Sequence, residues 1–166
     1  MTLFRKVVLT LVSSQITPPN VRSRMLNRII GEVASSAEIS GSSFFTGNRI
    51  HIGELVFINK FCRFYSHFCN GSEIIIGNNV SIAMGVTLTT HTHLIGNAKR
   101  RAPRQTIFKP IVIEDGCWIG ANVTILPGVR IGKGTVVGAG SVVIRDLEKN
   151  SVYVGNPARK IKQLKE

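Results

Sequence analysis

The chain has 166 residues, 43% of them hydrophobic and only 18% charged, with a formal net charge of +12. That length suits one domain with a sizeable core, and the hydrophobic content excludes an intrinsically disordered chain. Cys62, Cys69 and Cys117 form no CxxC pair and leave an odd count, which fits a reducing cytoplasm better than a disulfide scaffold, while the excess of cations calls for an anionic partner: nucleic acid, a membrane surface or a phosphorylated ligand.

In "MTLFRKVVLTLVSS" two basic residues precede an apolar run from Val7 to Val12. The run is short for a signal-peptide core and far too short to span a bilayer. It reads as a leading helix or strand that packs on the domain, with an amphipathic membrane-surface element as the alternative. "PPNVRSRMLNRIIG" then predicts a helix. Proline stands ahead of it, Val21, Met25, Leu26 and Ile29 fall at helical spacing, and Gly31 is a stop signal.

From Ile113 onward aliphatic residues recur every six positions: Ile113, Ile119, Ile125, Ile131, Val137 and Val143. Four places after the aliphatic comes a small or β-branched residue (Cys117, Val123, Val129, Thr135, Ser141). An earlier block keeps the register less strictly, through Ile52, Ile58 and Phe64, a miss at Asn70, then Ile76, Ile82 and Leu88. A period of six is neither helical nor simply alternating. It suits a short strand followed by a turn, with one aliphatic and one smaller residue facing inward. Such units cannot bury their apolar face alone, so they stack into a solenoid, a parallel β-helix. A β-sandwich would instead space its strands irregularly, at about 8–12 residues.

Between the two blocks, "VTLTTHTHLIGNAKRR" breaks the repeat with a pair of histidines and a basic stretch. A break in a solenoid pushes a loop out of the wall, here from about residue 94 to 109, and long non-repeating loops are usually functional. Lys99, Arg100, Arg101, Arg104 and Lys109 follow one another in it without any acid between them.

These blocks, with "IEDGCWIGANVTILPGVRIGKGTVVGAGSVV" and the ending "VGNPARKI", resemble the hexapeptide-repeat acyltransferases over roughly residues 50–162. The branch they look most similar to is that of the maltose, galactoside and nodulation-type sugar and polysaccharide O-acetyltransferases. The resemblance implies an all-β fold: a left-handed parallel β-helix, assembled as a homotrimer. A single domain is expected: an N-terminal segment with a helix (1–35), the β-helix with its extruded loop (36–156), and a tail forming a short C-terminal helix (157–166).

The resemblance further implies an enzyme with acetyl-CoA as acetyl donor and a sugar or glycan hydroxyl as acceptor. By register the general base falls on His93, with His91 on the same face to assist or orient it. An imidazole with a pKa near 6.5 is largely neutral at cellular pH and can accept the hydroxyl proton. None of the cysteines sits at the family's catalytic position, so transfer is expected to be direct, with Cys117 a core residue. The cofactor positions carried over are Trp118, Gly120, Ala121, Gly138, Ala139, Ile144, Arg145, Arg159 and Lys162. Several relatives have serine where this chain has Ala121, which leaves only a backbone N–H for the developing oxyanion. Asn59 matches a sugar-binding asparagine, and Arg159 and Lys162 lie one helical turn apart in the expected C-terminal helix.

No metal site is expected. A zinc lyase of the γ-carbonic-anhydrase type needs three converging histidines, and His67, His91 and His93 do not match its spacing. Other hydroxyl acceptors, antibiotic or serine-like, and a non-enzymatic scaffold are the remaining readings. No nucleic-acid module is present. The expected location is cytoplasmic, with the inner membrane face and a lipid-linked glycan as peripheral partners.

Overall fold

The computed structural model describes residues 3–165. Two helices, α1 (Leu3–Ser13) and α2 (Pro19–Asn27), lead into a solenoid whose strands visit three sheets in strict rotation. The first face holds Glu38–Ile39, Phe57–Ile58, Ser81–Ile82, Trp118–Ile119, Val136–Val137 and Ser151–Val154. The second holds Phe44–Thr46, Arg63–Tyr65, Thr87–Thr89, Thr124–Ile125 and Val142–Val143; the third holds Ile50–Ile52, Ile74–Ile76, Ile111–Ile113 and Arg130–Ile131. All pairings between successive coils on these faces are parallel. The repeat therefore builds a parallel β-helix of triangular section.

Register stacks the six-residue aliphatics into columns. Ile39, Ile58, Ile82, Ile119 and Val137 pair in sequence on the first face. Phe45, Phe64, Leu88, Ile125 and Val143 do so on the second, and Ile52, Ile76, Ile113 and Ile131 on the third. Every one of them is buried, and the Phe45 and Phe64 rings stack at 4.8 Å. The smaller positions Cys117, Val123, Val129, Thr135 and Ser141 are buried as well, at the coil corners. Burial of each large aliphatic contributes about 1.5–3 kcal/mol, repeated coil after coil.

Where coils are regular, paired residues lie 18 apart, as Trp118 and Val136 do. The spacing grows to 24 between Ile50 and Ile74, and to 37 between Ile74 and Ile111. Both excesses leave the wall at one corner, that between the second and third faces. The smaller is residues 66–73, which contain the Asn70 miss. The larger is a hairpin whose strands His91–His93 and Thr106–Phe108 pair antiparallel, so the excursion begins at the histidines, three residues before the expected position 94.

The two ends of the stack are closed differently. At the first coil, α1 and α2 pack over the core through Val8, Val12 and Leu26, with Ile30 just past the second helix. Val7–Val12 is thus helical, and the second helix stops at Asn27 rather than Gly31. Arg22, only 2% exposed, locks this cap: its guanidinium donates to the carbonyls of Val12, Ser14, Thr17 and Ile39. At the last coil the expected C-terminal helix is absent, and Arg159–Gln163 returns as a strand antiparallel to Ser151–Val154. Without that strand the first-face sheet would end at Ser151–Val154 with an open edge of unpaired backbone groups. Pairing that edge outweighs the marginal stability of so short a helix.

Cys62 and Cys117 are buried in this wall, and burial pushes both thiols up, that of Cys117 to about 11. Cys69 lies half-buried in the 66–73 loop. A thiol reagent at neutral pH is therefore expected to label Cys69 alone in the native protein, the other two reacting only after denaturation. Peptide mapping by mass spectrometry checks this, and native labelling of Cys117 would contradict it.

Candidate active site

The corner carrying both excursions gathers three of the four histidines. His67 comes from the 66–73 loop and His91 from the hairpin stem, and both rings lie against Phe108, at 5.1 and 6.0 Å between centroids. His93 stands two residues along the same strand, exposed, with Thr106 as its backbone partner. His51 is elsewhere, on the third face, 3.3 Å from Glu32. Among the described residues no group of three or more His, Cys, Asp or Glu side chains is placed to hold a metal ion.

A cleft of about 250 Å³ opens beside the hairpin stem, lined by Thr89, His91, Thr92, Ile107, Lys109, Leu126, Pro127 and Ile144. Its floor follows from register. Thr89, Leu126 and Ile144 each sit one place past an inward residue of the second face, namely Leu88, Ile125 and Val143. That column is readable from the repeat, and the family resemblance points to Ile144 alone within it. Thr92, Ile107 and Pro127 carried no signal of their own. Lys109 lies against Gly128, where a Cβ would come within 2.9 Å of the lysine Cδ. Glycine at 128 is what lets that aliphatic stem lie flat along the corner.

His91 is half-buried, the less exposed of the stem pair. Its Nδ1 is shielded from solvent and has no hydrogen-bond partner. Burial lowers its pKa from the ordinary value, and the nearby His67 and His93 lower it further. The unfolded chain therefore takes up a proton near pH 6.5 that the folded chain resists. This contribution to stability is complete above about pH 6.5 and is lost as pH falls from there toward the lower folded value. His91→Asn is expected to flatten the decline of Tm on that acidic limb. Parallel Tm–pH curves for the two proteins would remove His91 from the account.

The remaining sequence-derived positions fall elsewhere. Trp118, 58% exposed, projects from the first face, and Gly120, Ala121, Gly138 and Ala139 follow at the next corner in consecutive coils. Asn59 occupies that corner two coils below, its side-chain oxygen accepting from the Lys60 N–H. A Cβ on Gly120 would stand 2.6 Å from the Ala139 nitrogen, and one on Gly138 2.6 Å from Val154 Cγ1. These glycines are thus required by the chain's own next coil, a reason that needs no ligand. Arg145 follows Ile144 and is exposed.

Arg159 and Lys162 do share a face, though not by a helical turn. The strand register shifts between Val152 and Tyr153, so Arg159 pairs with Val154 and Lys162 with Val152. Directly opposed residues point to one side, and Val152 and Val154 alternate with the buried Ser151 and Tyr153. Both cations therefore lie on the outer surface of the first face. One chain brings His91 and Ile144 to one cleft, with His93 two residues along the same strand, but it holds Trp118 and these cations on a different face.

Two family models match the chain: "Bacterial transferase hexapeptide (six repeats)" over residues 110–145 and "Hexapeptide repeat of succinyl-transferase" over 74–90. The galactoside O-acetyltransferase of Lactococcus lactis is 33% identical over 146 residues, 87% of this chain and 68% of its own length. A hexapeptide-repeat acetyltransferase from Vibrio cholerae, solved with acetyl-CoA, superposes with a TM-score of 0.84 at 31% identity, covering 98% of this chain and 86% of that one. A maltose O-acetyltransferase from Clostridium difficile gives 0.77 at 32%, with the same coverage.

Proposed function

The chain belongs to the hexapeptide-repeat acetyltransferase family, and we propose that it moves the acetyl group of acetyl-CoA onto a hydroxyl of a sugar or glycan. It is an acetyl-CoA-dependent O-acetyltransferase. The observation that carries the reading of the site is the pair of histidines on the hairpin stem, beside an open cleft with no carboxylate in its lining. The apolar lining residues Ile107, Leu126, Pro127 and Ile144 suit the pantetheine arm of the donor, and the unpartnered His91 Nδ1 marks a polar site left unsatisfied in the protein alone. Lys109, Arg145, Arg159 and Lys162 offer counter-charge to its phosphates.

The donor supplies a thioester carbonyl. His93 takes the proton of the acceptor hydroxyl as the new C–O bond forms; the sulfur leaves as thiolate as the C–S bond breaks and receives that proton from His93, which restores the base. His91, held neutral by burial, orients the stem and its neighbour. The backbone N–H of Ala121 is the oxyanion donor, in place of a side-chain hydroxyl. Trp118 and Ala121 stand on a face distant from the histidines, so the site is complete only when a neighbouring subunit brings its first face to this corner. We infer a homotrimer on that account; the left hand of its β-helix is what the resemblance to the hexapeptide-repeat acyltransferases implies.

Purified protein is expected to release free thiol from acetyl-CoA only when a sugar, nucleotide sugar or short oligosaccharide is added, and to run as a trimer by light scattering. A monomer that still transfers acetyl would sink the shared site, and no acceptor-dependent thiol release from any hydroxyl compound would sink the activity.

A further inference from the structure

Terminal coils of a solenoid need a cap with a polar outer face, because nothing stacks beyond them. The last coil meets this condition: Arg159–Gln163 is exposed throughout, and four of its five residues are polar. The first coil does not. α1 covers the core with Val8 and Val12, and turns Leu3, Phe4, Val7 and Leu11 outward, each at least 47% exposed. Those four recur at helical spacing and form one stripe, adjoining the buried face. Ile16, just past the helix, is 92% exposed.

The charge of the capping segment itself is one-sided, the exposed acids Glu32 and Glu38 coming only with the first coil. The first 31 residues contain Arg5, Lys6, Arg22, Arg24 and Arg28 and not one Asp or Glu, the first acid being Glu32. Arg22 is consumed in the cap, while Arg24 and Arg28 are exposed on and just after α2. An outward apolar stripe with only cations near it in sequence matches an anionic bilayer surface, where apolar side chains enter the headgroup boundary and basic residues meet lipid phosphates. No helix among the described residues is long and apolar enough to cross a membrane, so the contact lies on the surface.

We propose that α1 is a membrane-surface anchor that seats the first-coil end of the solenoid on negatively charged lipid. This holds whatever the acceptor of the enzyme is. A protein assembled from several copies would present several stripes and gain by multivalency.

The test is flotation of the full chain with vesicles of phosphatidylcholine alone or mixed with phosphatidylglycerol. The protein is expected to float with the mixed vesicles, less so at high salt, and to stay below with phosphatidylcholine alone. Leu3→Ser, Phe4→Ser, Val7→Ser and Leu11→Ser combined should lower binding roughly tenfold or more, at unchanged Tm and assembly size. Should the combined variant misfold, Phe4→Ser alone must still reduce flotation measurably. Three results would overturn the proposal: wild type that ignores anionic vesicles, a folded stripe variant that floats as well as wild type, or a stripe whose loss only dissolves a larger self-assembly.

Discussion

Replacing His93 with alanine is expected to lower kcat by roughly 10²–10⁴-fold while leaving acetyl-CoA binding nearly intact. The two histidines of the stem differ in their access to the acceptor. His91 is half-buried with its Nδ1 shielded, and burial first, then the neighbouring His67 and His93, hold its pKa below the ordinary value. His93 is exposed on the same strand, where solvent and an approaching hydroxyl both reach it. Nothing in its backbone pairing with Thr106 depends on the ring, so the alanine variant keeps the hairpin. Steady-state rates with donor and acceptor varied separately, together with direct binding of acetyl-CoA, read the two effects apart. If His93→Ala retains most activity and His91→Ala abolishes it, the roles are reversed.

Arg22→Met should cost on the order of 3–5 kcal/mol of stability, a large share of the 5–15 kcal/mol typical of a folded domain. Methionine keeps the bulk of the side chain but none of its donors. Four carbonyls, on α1, on the turn after it and on the first strand, lose their partners together. A buried acceptor left unmade costs about 1–3 kcal/mol; the bonds to Val12 and Ile39 are buried and those to Ser14 and Thr17 partly so, and the four are too close to add independently. Urea unfolding at fixed pH measures the loss, and hydrogen exchange should place it in the helices and first coil. A change below about 1 kcal/mol would mean the carbonyls find water instead.

The repeat was legible because each inward position is decided by burial alone. Ile113 through Val143 at six-residue spacing, and the smaller residues between, are the columns of the core. The miss at Asn70 was legible as an irregularity but not as a loop stacked beside the hairpin. What could not be read locally was whatever depends on distant pairing. Thr106–Phe108 is a strand only because His91–His93 lies opposite it. Arg159–Gln163 carries a helical spacing of cations, yet becomes a strand because an open sheet edge is waiting. Arg22, in a run with Arg24 and Arg28, gave no sign that one of three similar arginines would be enclosed. The candidate site was legible at its histidines and at Ile144, while Lys109 was noted only for its charge.

The pairing distance across the hairpin, 37 residues in place of the regular 18, is about one doubling of the segment that must close before the next coil can stack. Closure entropy grows only logarithmically, so that doubling costs about 0.6 kcal/mol. Each coil contacts only its neighbours, and the columns above and below the gap stay in register through Ile76 and Ile113. In evolutionary terms the corner is an insertion port: a lineage can lengthen, shorten or exchange the segment between His93 and Thr106 without re-optimising the core or displacing the stem histidines. Selectivity for new acceptors can then diversify on a scaffold that does not change, and a transplanted hairpin from a relative is the natural unit for redesign.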